Sequence, residues 1–354
     1  MKFTKEDLIY ELEYNFKGSS KEQEINNNLS KYKFLKYVSE AELVESQFYK
    51  EILRLNEIIR FEKNTSFKIH KSYPSPRSLY PIKIMISIDK GLFLSKNNVS
   101  EFYELYFFEN KNISIGDILL EFEDIYLDTY GSIKKSLLLL EAGHLLFNIL
   151  YLANHFGKTY INNSDHDGLL HLSLKSETNN LNDGEMLSHF KQSYYLRNSG
   201  PYNYPLTRTK ISYLLNHKPD NRFNFLNISS FFECSNLVEY ICVDVYVNQG
   251  KGLFKSVKGA NIIDYKSLNN LYSYINFWGV SLFTVFSIHI DAFMDDAKNF
   301  LLTLGYLSQS ESISLSSLNR FSRPIKSFKI DTMEQLLKHH NNSFIPYYAL
   351  ITGE

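Results

Sequence analysis

Hydrophobic and polar positions along the chain follow two different periods. Isoleucines recur at every second position from Ile82 to Ile88, and valines do the same from Val243 to Val247. A period of two is typical of a β-strand with one buried face, so both segments are predicted to be strands. Apolar residues between 43 and 59 instead follow helical spacing. The pattern therefore predicts helices in the first 60 residues and mixed structure after them.

The longest apolar segment runs from Leu137 to Phe156. Its length would suit a membrane span, but it carries Glu141, His144 and Asn148. Polar and ionisable groups at this density are costly in lipid. The segment is therefore predicted to be a buried core helix.

Two short motifs recur along the chain at nearly one offset. Gly-Leu-Phe stands at 91–93 and again at 252–254, which is 161 residues later, and Gly143 with its following His-Leu is matched by Gly305 with Tyr-Leu, 162 residues later. In each half, the predicted order of elements is a strand, a second strand and a long apolar helix. The repeat predicts an internal duplication, with helices packed on mainly antiparallel sheets in an α+β fold.

The overall charge indicates which partners the protein binds, and the cysteine content indicates its redox compartment. The formal net charge of -1 provides no field that would recruit nucleic acid or anionic lipid. The two cysteines, Cys234 and Cys242, are separated by a predicted strand start, which disfavours a disulfide. The first residues also lack the apolar core of a secretory signal. We therefore expect a cytoplasmic protein that binds neither nucleic acid nor membrane.

Common catalytic and metal-binding motifs do not match this sequence. It contains no G-x-S-x-G, G-x-G-x-x-G or P-loop pattern. The N-x-D-x-D-G run at 163–168 imitates a calcium loop, but Leu174 stands where a bidentate Glu is required. His339 and His340 are predicted to lie at an exposed helix end. No metal site is expected.

Polar residues on the predicted core helix share one face. Glu141, His144 and Asn148 are spaced i, i+3 and i+7. Glu-x-x-His is half of a di-iron signature, but a second copy is missing. Two interpretations remain: a polar seam that is satisfied inside the core, or a helix face that lines a ligand pocket.

The segment SYPSPRSLYP at 72–81 is a stiff, proline-rich loop before the first predicted strand. Ser75, Arg77 and Ser78 combine a cation with hydroxyls, which suits a phosphate or the edge of a flavin. Arg323 and Lys326 flank a second proline and form another candidate anion clamp. Each segment could equally be a surface turn.

Taken in order, four segments resemble the motifs of SagB-type dehydrogenases, a branch of the nitroreductase superfamily. They are PSPRSLYPIKIMISI from position 74, GLFLS from 91, TYGS from 129 and LLEAGHLLFNILYLANHFG from 139. The C-terminal half resembles a second, diverged copy. The resemblance predicts a helical N-terminal extension at 1–65, a first nitroreductase-like domain at 66–190 and a second at 191–354.

The resemblance implies a tandem pseudo-dimer with FMN between the two copies. Family members oxidise thiazolines and oxazolines to thiazoles and oxazoles in ribosomally made peptides, so the implied partners are a peptide substrate and a cyclodehydratase or other modification enzymes. A further homodimer is compatible with it. The implied catalytic residues are Tyr130 and Lys134, with Lys135 as a neighbouring alternative. The cofactor-binding residues expected from the motifs and the two clamps are Ser75, Arg77, Ser78, His144, Asn148, Arg323 and Lys326.

Three departures from the family pattern favour a second hypothesis. Arg77 replaces the loop glycine, and Thr129 stands where a catalytic Lys is expected. The basic R-x-S-x-R element is not present before Pro74, although Arg-Thr-Lys at 208–210 resembles it weakly. The alternative function is a catalytically degenerate subunit that binds a peptide or a partner enzyme in a peptide-modification complex.

Overall fold

The structure is a computed structural model. It describes residues 7, 11, 29–39, 46–61, 67–96, 102–163, 169–178, 184–197, 231, 237–250, 252–272, 275–326, 330–337 and 343–353.

The first half of the chain forms a seven-stranded antiparallel sheet and a short two-stranded ribbon. The ribbon strands are β2 (Arg60–Phe61) and β3 (Ile69–His70). The sheet strands are β1 (Lys33–Val38), β4 (Ile82–Asp89), β5 (Leu92–Lys96), β6 (Tyr103–Phe107), β7 (Ile118–Phe122), β8 (Lys158–Asn162) and β9 (Leu170–Glu177). Their order across the sheet is β1-β6-β5-β4-β7-β9-β8.

The second half forms a six-stranded antiparallel sheet. Its strands are β10 (Ile241–Gly250), β11 (Leu253–Ser256), β12 (Ile262–Asp264), β13 (Leu282–His289), β14 (Phe321–Ile325) and β15 (Phe344–Gly353). The order is β12-β11-β10-β13-β15-β14. Strand for strand, this is the order of the first sheet without β1.

Seven α-helices accompany the sheets in the described part of the chain. They are α1 (Gln47–Arg54), α2 (Lys134–His155), α3 (Gly184–Leu196), α4 (Tyr265–Leu271), α5 (Ile290–Asp295), α6 (Ala297–Ser316) and α7 (Ile330–Leu337). The two long helices, α2 and α6, occupy the same place in the order of elements of their halves. The predicted α+β fold with two antiparallel sheets and flanking helices is confirmed.

The two long helices cross in direct main-chain contact at a pair of glycines. A Cβ atom on Gly143 would overlap the carbonyl oxygen of Leu302 and lie 2.9 Å from the Cα of Gly305. A Cβ on Gly305 would overlap the carbonyl oxygen of Leu140 and lie 3.0 Å from the Cα of Gly143. The contact is therefore reciprocal, and it joins the two glycines that the sequence repeat aligns. Only glycine allows this approach.

The helical segment from 128 to 155 is long and apolar enough to cross a membrane, and its most apolar window is fully buried inside the protein. Glu141, His144 and Asn148 are buried with it. The prediction of a buried core helix is confirmed, whereas the cytoplasmic location stays a prediction.

The N-terminal segment departs from the expected helical extension. Helix α1 lies where helical spacing predicted a helix, but β1 pairs with β6 at the edge of the first sheet. The helical prediction is therefore wrong for Lys33–Val38. Five of these six residues are exposed, so the strand lacks the one-sided apolar pattern by which strands are recognised. The domain limits at 65/66 and 190/191 remain our proposal.

Candidate functional site

The proline-rich loop adopts a backbone that L-residues disfavour. Arg77, Ser78 and Tyr80 have φ values of 50°, 57° and 51°, in the left-handed region. The loop is held by Ser75, whose Oγ accepts a 2.8 Å hydrogen bond from the Tyr80 amide and donates a 2.9 Å bond to Glu141. Arg77 thus adopts the left-handed backbone that a glycine adopts without strain. Its side chain is exposed.

A hydrogen-bond network crosses between the two halves beside this loop. His144 Nε2 lies 2.9 Å from the Tyr348 hydroxyl, and His144 Nδ1 lies 3.2 Å from Gln309 Oε1. Gln309 Nε2 donates to Ser72 O at 2.9 Å and to Asn148 Oδ1 at 3.1 Å. Asn148 Nδ2 reaches the Ser72 carbonyl at 3.3 Å. We call these five buried residues the polar seam.

The surroundings of His144 in the polar seam determine its tautomer and its charge. Because the Gln309 amide nitrogen donates elsewhere, its Oε1 accepts from Nδ1–H, which leaves His144 Nε2 to accept from Tyr348. Burial, together with the nearby charge of Arg197, lowers the pKa of His144 to about 3. The imidazole is therefore neutral. His144 and Asn148 are bonded to protein groups, as the seam interpretation predicted, and their cofactor-binding role stays a prediction.

Glu141 is a buried carboxyl group with one satisfied oxygen. Its Oε2 accepts hydrogen bonds from Ser75 and, at 2.8 Å, from Tyr126, while Oε1 has no partner among the described residues. Burial raises the pKa of Glu141 to about 8, although both hydrogen bonds and the charge of Lys71 oppose the rise. The group is thus mostly a neutral acid at pH 7.

Replacing Glu141 by Gln is expected to change the pH dependence of stability. A carboxyl group whose folded pKa is about 8 holds a proton that the unfolded chain releases near pH 4.5, so the free energy of unfolding falls as pH rises between these values. Gln keeps the hydrogen-bond acceptor but does not ionise. From pH 5 to pH 8, Glu141→Gln should gain about 3 kcal/mol relative to wild type in urea denaturation. A difference that stays constant with pH would contradict the raised pKa.

Three cations surround Tyr80 on the loop. Lys71 Nζ lies 5.1 Å from the Tyr80 ring centroid, and the charges of Arg60 and Arg197 both act on the Tyr80 hydroxyl. Arg197 is 1% exposed, and its Nε and Nη1 have no hydrogen-bond partner among the described residues. Burial lowers the pKa of Arg197 to about 10, so it stays charged. A buried charge without a partner among the described residues is costly, so Arg197 is a candidate for binding an anionic group.

The catalytic residues expected from the resemblance lie at the start of α2. Tyr130 is half-buried, and its ring centroid lies 5.9 Å from that of Tyr126, which donates to Glu141. Lys134 Nζ lies 3.5 Å from a carboxylate oxygen of Asp128, which is mostly exposed. Tyr130 is thus linked through Tyr126 to the loop and Glu141. The catalytic roles of Tyr130 and Lys134 remain predictions.

The second expected anion clamp is occupied by the N-terminal segment. Lys326 Nζ lies 3.3 Å from Glu11 Oε2 and 3.6 Å from the ring centroid of Tyr347, whose hydroxyl also donates to Glu11. Lys135 forms a 3.2 Å ion pair with Asp7. Arg323 is half-buried on β14. Lys326 could bind an external anion only after losing Glu11.

Residues 208–210, Cys234, His339 and His340 lie outside the described residues.

A surface cleft of about 590 Å³ lies between α1, β5 and α3. Its charged groups pair with one another: Glu51 with Arg54 and Lys191, and Glu57 with Lys96. The region beside the polar seam is the stronger candidate site, because atoms of Arg197 and Glu141 there have no partner among the residues that the structure describes.

Sequence reasoning missed four residues of this site: Lys71, Arg197, Gln309 and Tyr348. The repeat could have pointed to Gln309, which lies four residues after Gly305, as Asn148 lies five after Gly143. Lys71 and Arg197 stand in polar stretches where their burial leaves no local pattern.

Comparisons with known proteins give the fold class. No family model matches the chain, and no curated protein sequence matches it. A crystal structure named as a nitroreductase from Anabaena variabilis is similar with a TM-score of 0.60 and 13% identity, over 91% of this chain and 93% of that one. The chain therefore has a nitroreductase-like fold.

Two further solved structures are similar over smaller parts. One is named as a nitroreductase from Ralstonia eutropha, with a TM-score of 0.31 and 12% identity over 47% of this chain and 82% of that one. The other is the E. coli microcin synthetase McbBCD complex with truncated pro-MccB17 bound, with a TM-score of 0.23 and 10% identity over 32% of this chain and 51% of that one.

Proposed function

We propose that the chain is a flavin-dependent oxidoreductase that binds FMN between its two halves and oxidises thiazoline or oxazoline rings in a ribosomally made peptide. The observation that carries the proposal is Arg197, a buried guanidinium beside a strained loop in a nitroreductase-like fold. Two of its nitrogens have no hydrogen-bond partner in the part of the chain that the structure describes. The ring substrate is supported by the order of the motifs between 74 and 157.

The unpartnered groups near the loop fit FMN, which carries a phosphate, several ring acceptors and one ring N–H. Arg197 would hold its anionic part, because two guanidinium nitrogens are available. Glu141 Oε1 carries the proton of the neutral acid, because Oε2 accepts from Ser75 and Tyr126, and it would donate to a ring acceptor. The left-handed loop at 77–80 would present backbone groups to the ring edge, which is what the motif resemblance implies. When bound, FMN supplies hydride-accepting chemistry.

The chain itself must orient the substrate, exclude water and accept a proton. The polar seam holds the neutral imidazole of His144 rigidly, because both ring nitrogens form hydrogen bonds. Glu141 adds a protonated carboxyl group whose Ser75 contact fixes the loop. Tyr130 remains a candidate for orienting the substrate near this acid. A catalytic proton acceptor is still required, because Thr129 cannot act as a base near neutral pH.

A specific observation also favours the second candidate, a degenerate subunit that binds a peptide or a partner enzyme. Glu11 and Asp7 of the N-terminal segment bind Lys326 and Lys135. Two cations that could have served a cofactor are thereby neutralised. In such a subunit the fold would be kept for binding without flavin chemistry.

An absorption spectrum of the freshly purified full-length protein tests the proposal. We expect a flavin band near 450 nm, either directly or after incubation with FMN and gel filtration, with about one FMN per chain. Riboflavin should bind more weakly, because it lacks the anion that would meet Arg197. A protein that stays colourless in excess FMN, yet co-purifies with a cyclodehydratase, would instead support the degenerate subunit.

A further inference from the structure

We propose that Lys71 is the proton acceptor of the reaction, at a position other than the one where the family pattern expects a catalytic Lys. The proposal rests on the proposed function. It is carried by the placement of Lys71 between the ribbon strand β3 and the proline-rich loop, within the cluster of groups around Tyr80 and Glu141.

Lys71 differs from the other buried lysines in the described part of the chain. Lys96, Lys134 and Lys326 each have a carboxylate oxygen within 3.5 Å. Lys71 is 2% exposed, and among the described residues its Nζ forms no ion pair. Its Nζ lies over the Tyr80 ring, 5.1 Å from the ring centroid. A buried amine that no described carboxylate holds in an ion pair can exchange a proton.

Hydrogen bonds of the loop hold the backbone of Lys71 and connect it to Glu141. The Lys71 backbone N–H donates a 2.9 Å hydrogen bond to the Tyr80 hydroxyl, and the Tyr80 amide donates to Ser75, which donates to Glu141. Lys71, directly after β3, and Glu141, on α2, therefore lie near the loop on different segments of the chain. Their charges act on each other although they form no ion pair.

The charged groups around Lys71 favour its neutral form near pH 7. Burial lowers the pKa of Lys71 to about 7, the positive charge of Lys83 on β4 lowers it further, and Glu141 on α2 opposes the shift. Arg60 and Arg197 lie around the same tyrosine. Because Glu141 is itself mostly protonated, its opposition is weak at neutral pH. The amine can therefore accept a proton at a pH where an ordinary lysine cannot.

Bound FMN would supply the oxidant. One ring carbon of the thiazoline would lose a hydride, with both electrons of its C–H bond, to this cofactor. The neighbouring ring carbon loses a proton to the Lys71 amine, which becomes an ammonium. The electron pair of that second C–H bond forms the new ring double bond, so the azoline becomes an azole. The ammonium then releases its proton to solvent.

The test is an anaerobic single turnover of the FMN-loaded protein with a synthetic peptide that carries one thiazoline, followed by the loss of absorbance near 450 nm. Lys71→Met and Lys71→Arg should each slow the reaction about 100-fold or more, because neither supplies a neutral amine. The wild-type rate should rise with pH around a midpoint near 7. Lys158→Met is the matched control, since Lys158 pairs with Glu177 on the β8–β9 edge, and it should keep the wild-type rate.

Two further measurements distinguish a role of Lys71 in proton transfer from a purely structural role. FMN affinity, read by fluorescence quenching, should change less than about threefold in Lys71→Met. In wild-type protein labelled with ¹³C at the lysine ε-carbon, the signal that Lys71→Arg removes should titrate near pH 7. This second readout needs neither a substrate nor a folded Met variant.

The outcomes distinguish this inference from the proposed function. A Lys71→Met protein that binds FMN and reacts at the wild-type rate, or a Lys71 signal that titrates near 10, overturns the role of Lys71 and leaves the flavin function intact. A wild-type protein that cannot bind FMN overturns the proposed function and this inference with it. If wild type binds FMN but the peptide does not bleach it, the azoline reaction is wrong, and Lys71 has no such role.

Discussion

Gly143→Ala and Gly305→Ala should each lower the free energy of unfolding of the full chain by about 3 kcal/mol or more. An added methyl group on either glycine meets the main chain of the opposite helix, with the opposing glycine Cα only 2.9–3.0 Å away. Main-chain atoms of a helix cannot rotate aside as a side chain can. The two long helices would have to separate, and the polar seam would lose its cross-half hydrogen bonds. Urea denaturation at pH 7 measures the effect.

Gly259→Ala is the matched control for this prediction. A Cβ atom at Gly259 would meet nothing within 4 Å, so the change should stay within about 0.5 kcal/mol. If Gly143→Ala were as stable as the control, the close crossing of the two halves would be wrong. The site placed between them would then lose its basis.

Arg197→Met is expected to act in opposite directions on stability and on binding. Without ligand, the substitution removes a buried charge whose Nε and Nη1 have no partner among the described residues. The ligand-free protein should therefore be as stable as wild type, or more stable by about 1–3 kcal/mol. FMN affinity should fall by about 100-fold, because the anion loses its buried partner. Thermal unfolding and fluorescence titration measure the two effects.

The preference for FMN over riboflavin gives a second measurement on Arg197→Met. Wild type should prefer FMN over riboflavin, and Arg197→Met should lose most of that preference because the two ligands differ in the phosphate. Arg54→Met is a suitable control, since Arg54 pairs with Glu51 beside the surface cleft, and it should leave the preference unchanged. An Arg197→Met protein that is strongly destabilised but binds FMN normally would show that Arg197 is structural.

If these predictions hold, the two halves act as one unit. Gly143 and Gly305 bring the helices together, and this approach lets Gln309 and Tyr348 of one half bond to Asn148 and His144 of the other. The strained loop is tied to the same helix through Ser75. A change at the helix crossing should therefore affect stability and ligand binding together.

The sequence predicted the elements that have a strong local period. The isoleucines from 82 to 88 identified β4, and the apolar segment after Leu137 identified α2. The repeat also aligned Gly143 with Gly305, which meet in the structure. Strand β1 was missed because its residues are mostly exposed and carry no one-sided pattern. Of the expected site, Ser75 contacts Glu141, whereas Lys326 is paired with Glu11.

By itself, the sequence determined the fold class, the duplicated order of elements and the face of α2 that carries Glu141, His144 and Asn148. Only the tertiary structure decided which groups those residues meet. Ser75 bonds across 66 positions to Glu141, His144 across 204 to Tyr348, and Gln309 across 237 to Ser72. Periodicity reports burial along a single element, because it depends on the local geometry of the backbone. Which groups surround Lys71 and Arg197 depends on distant segments, so no local pattern could reveal it.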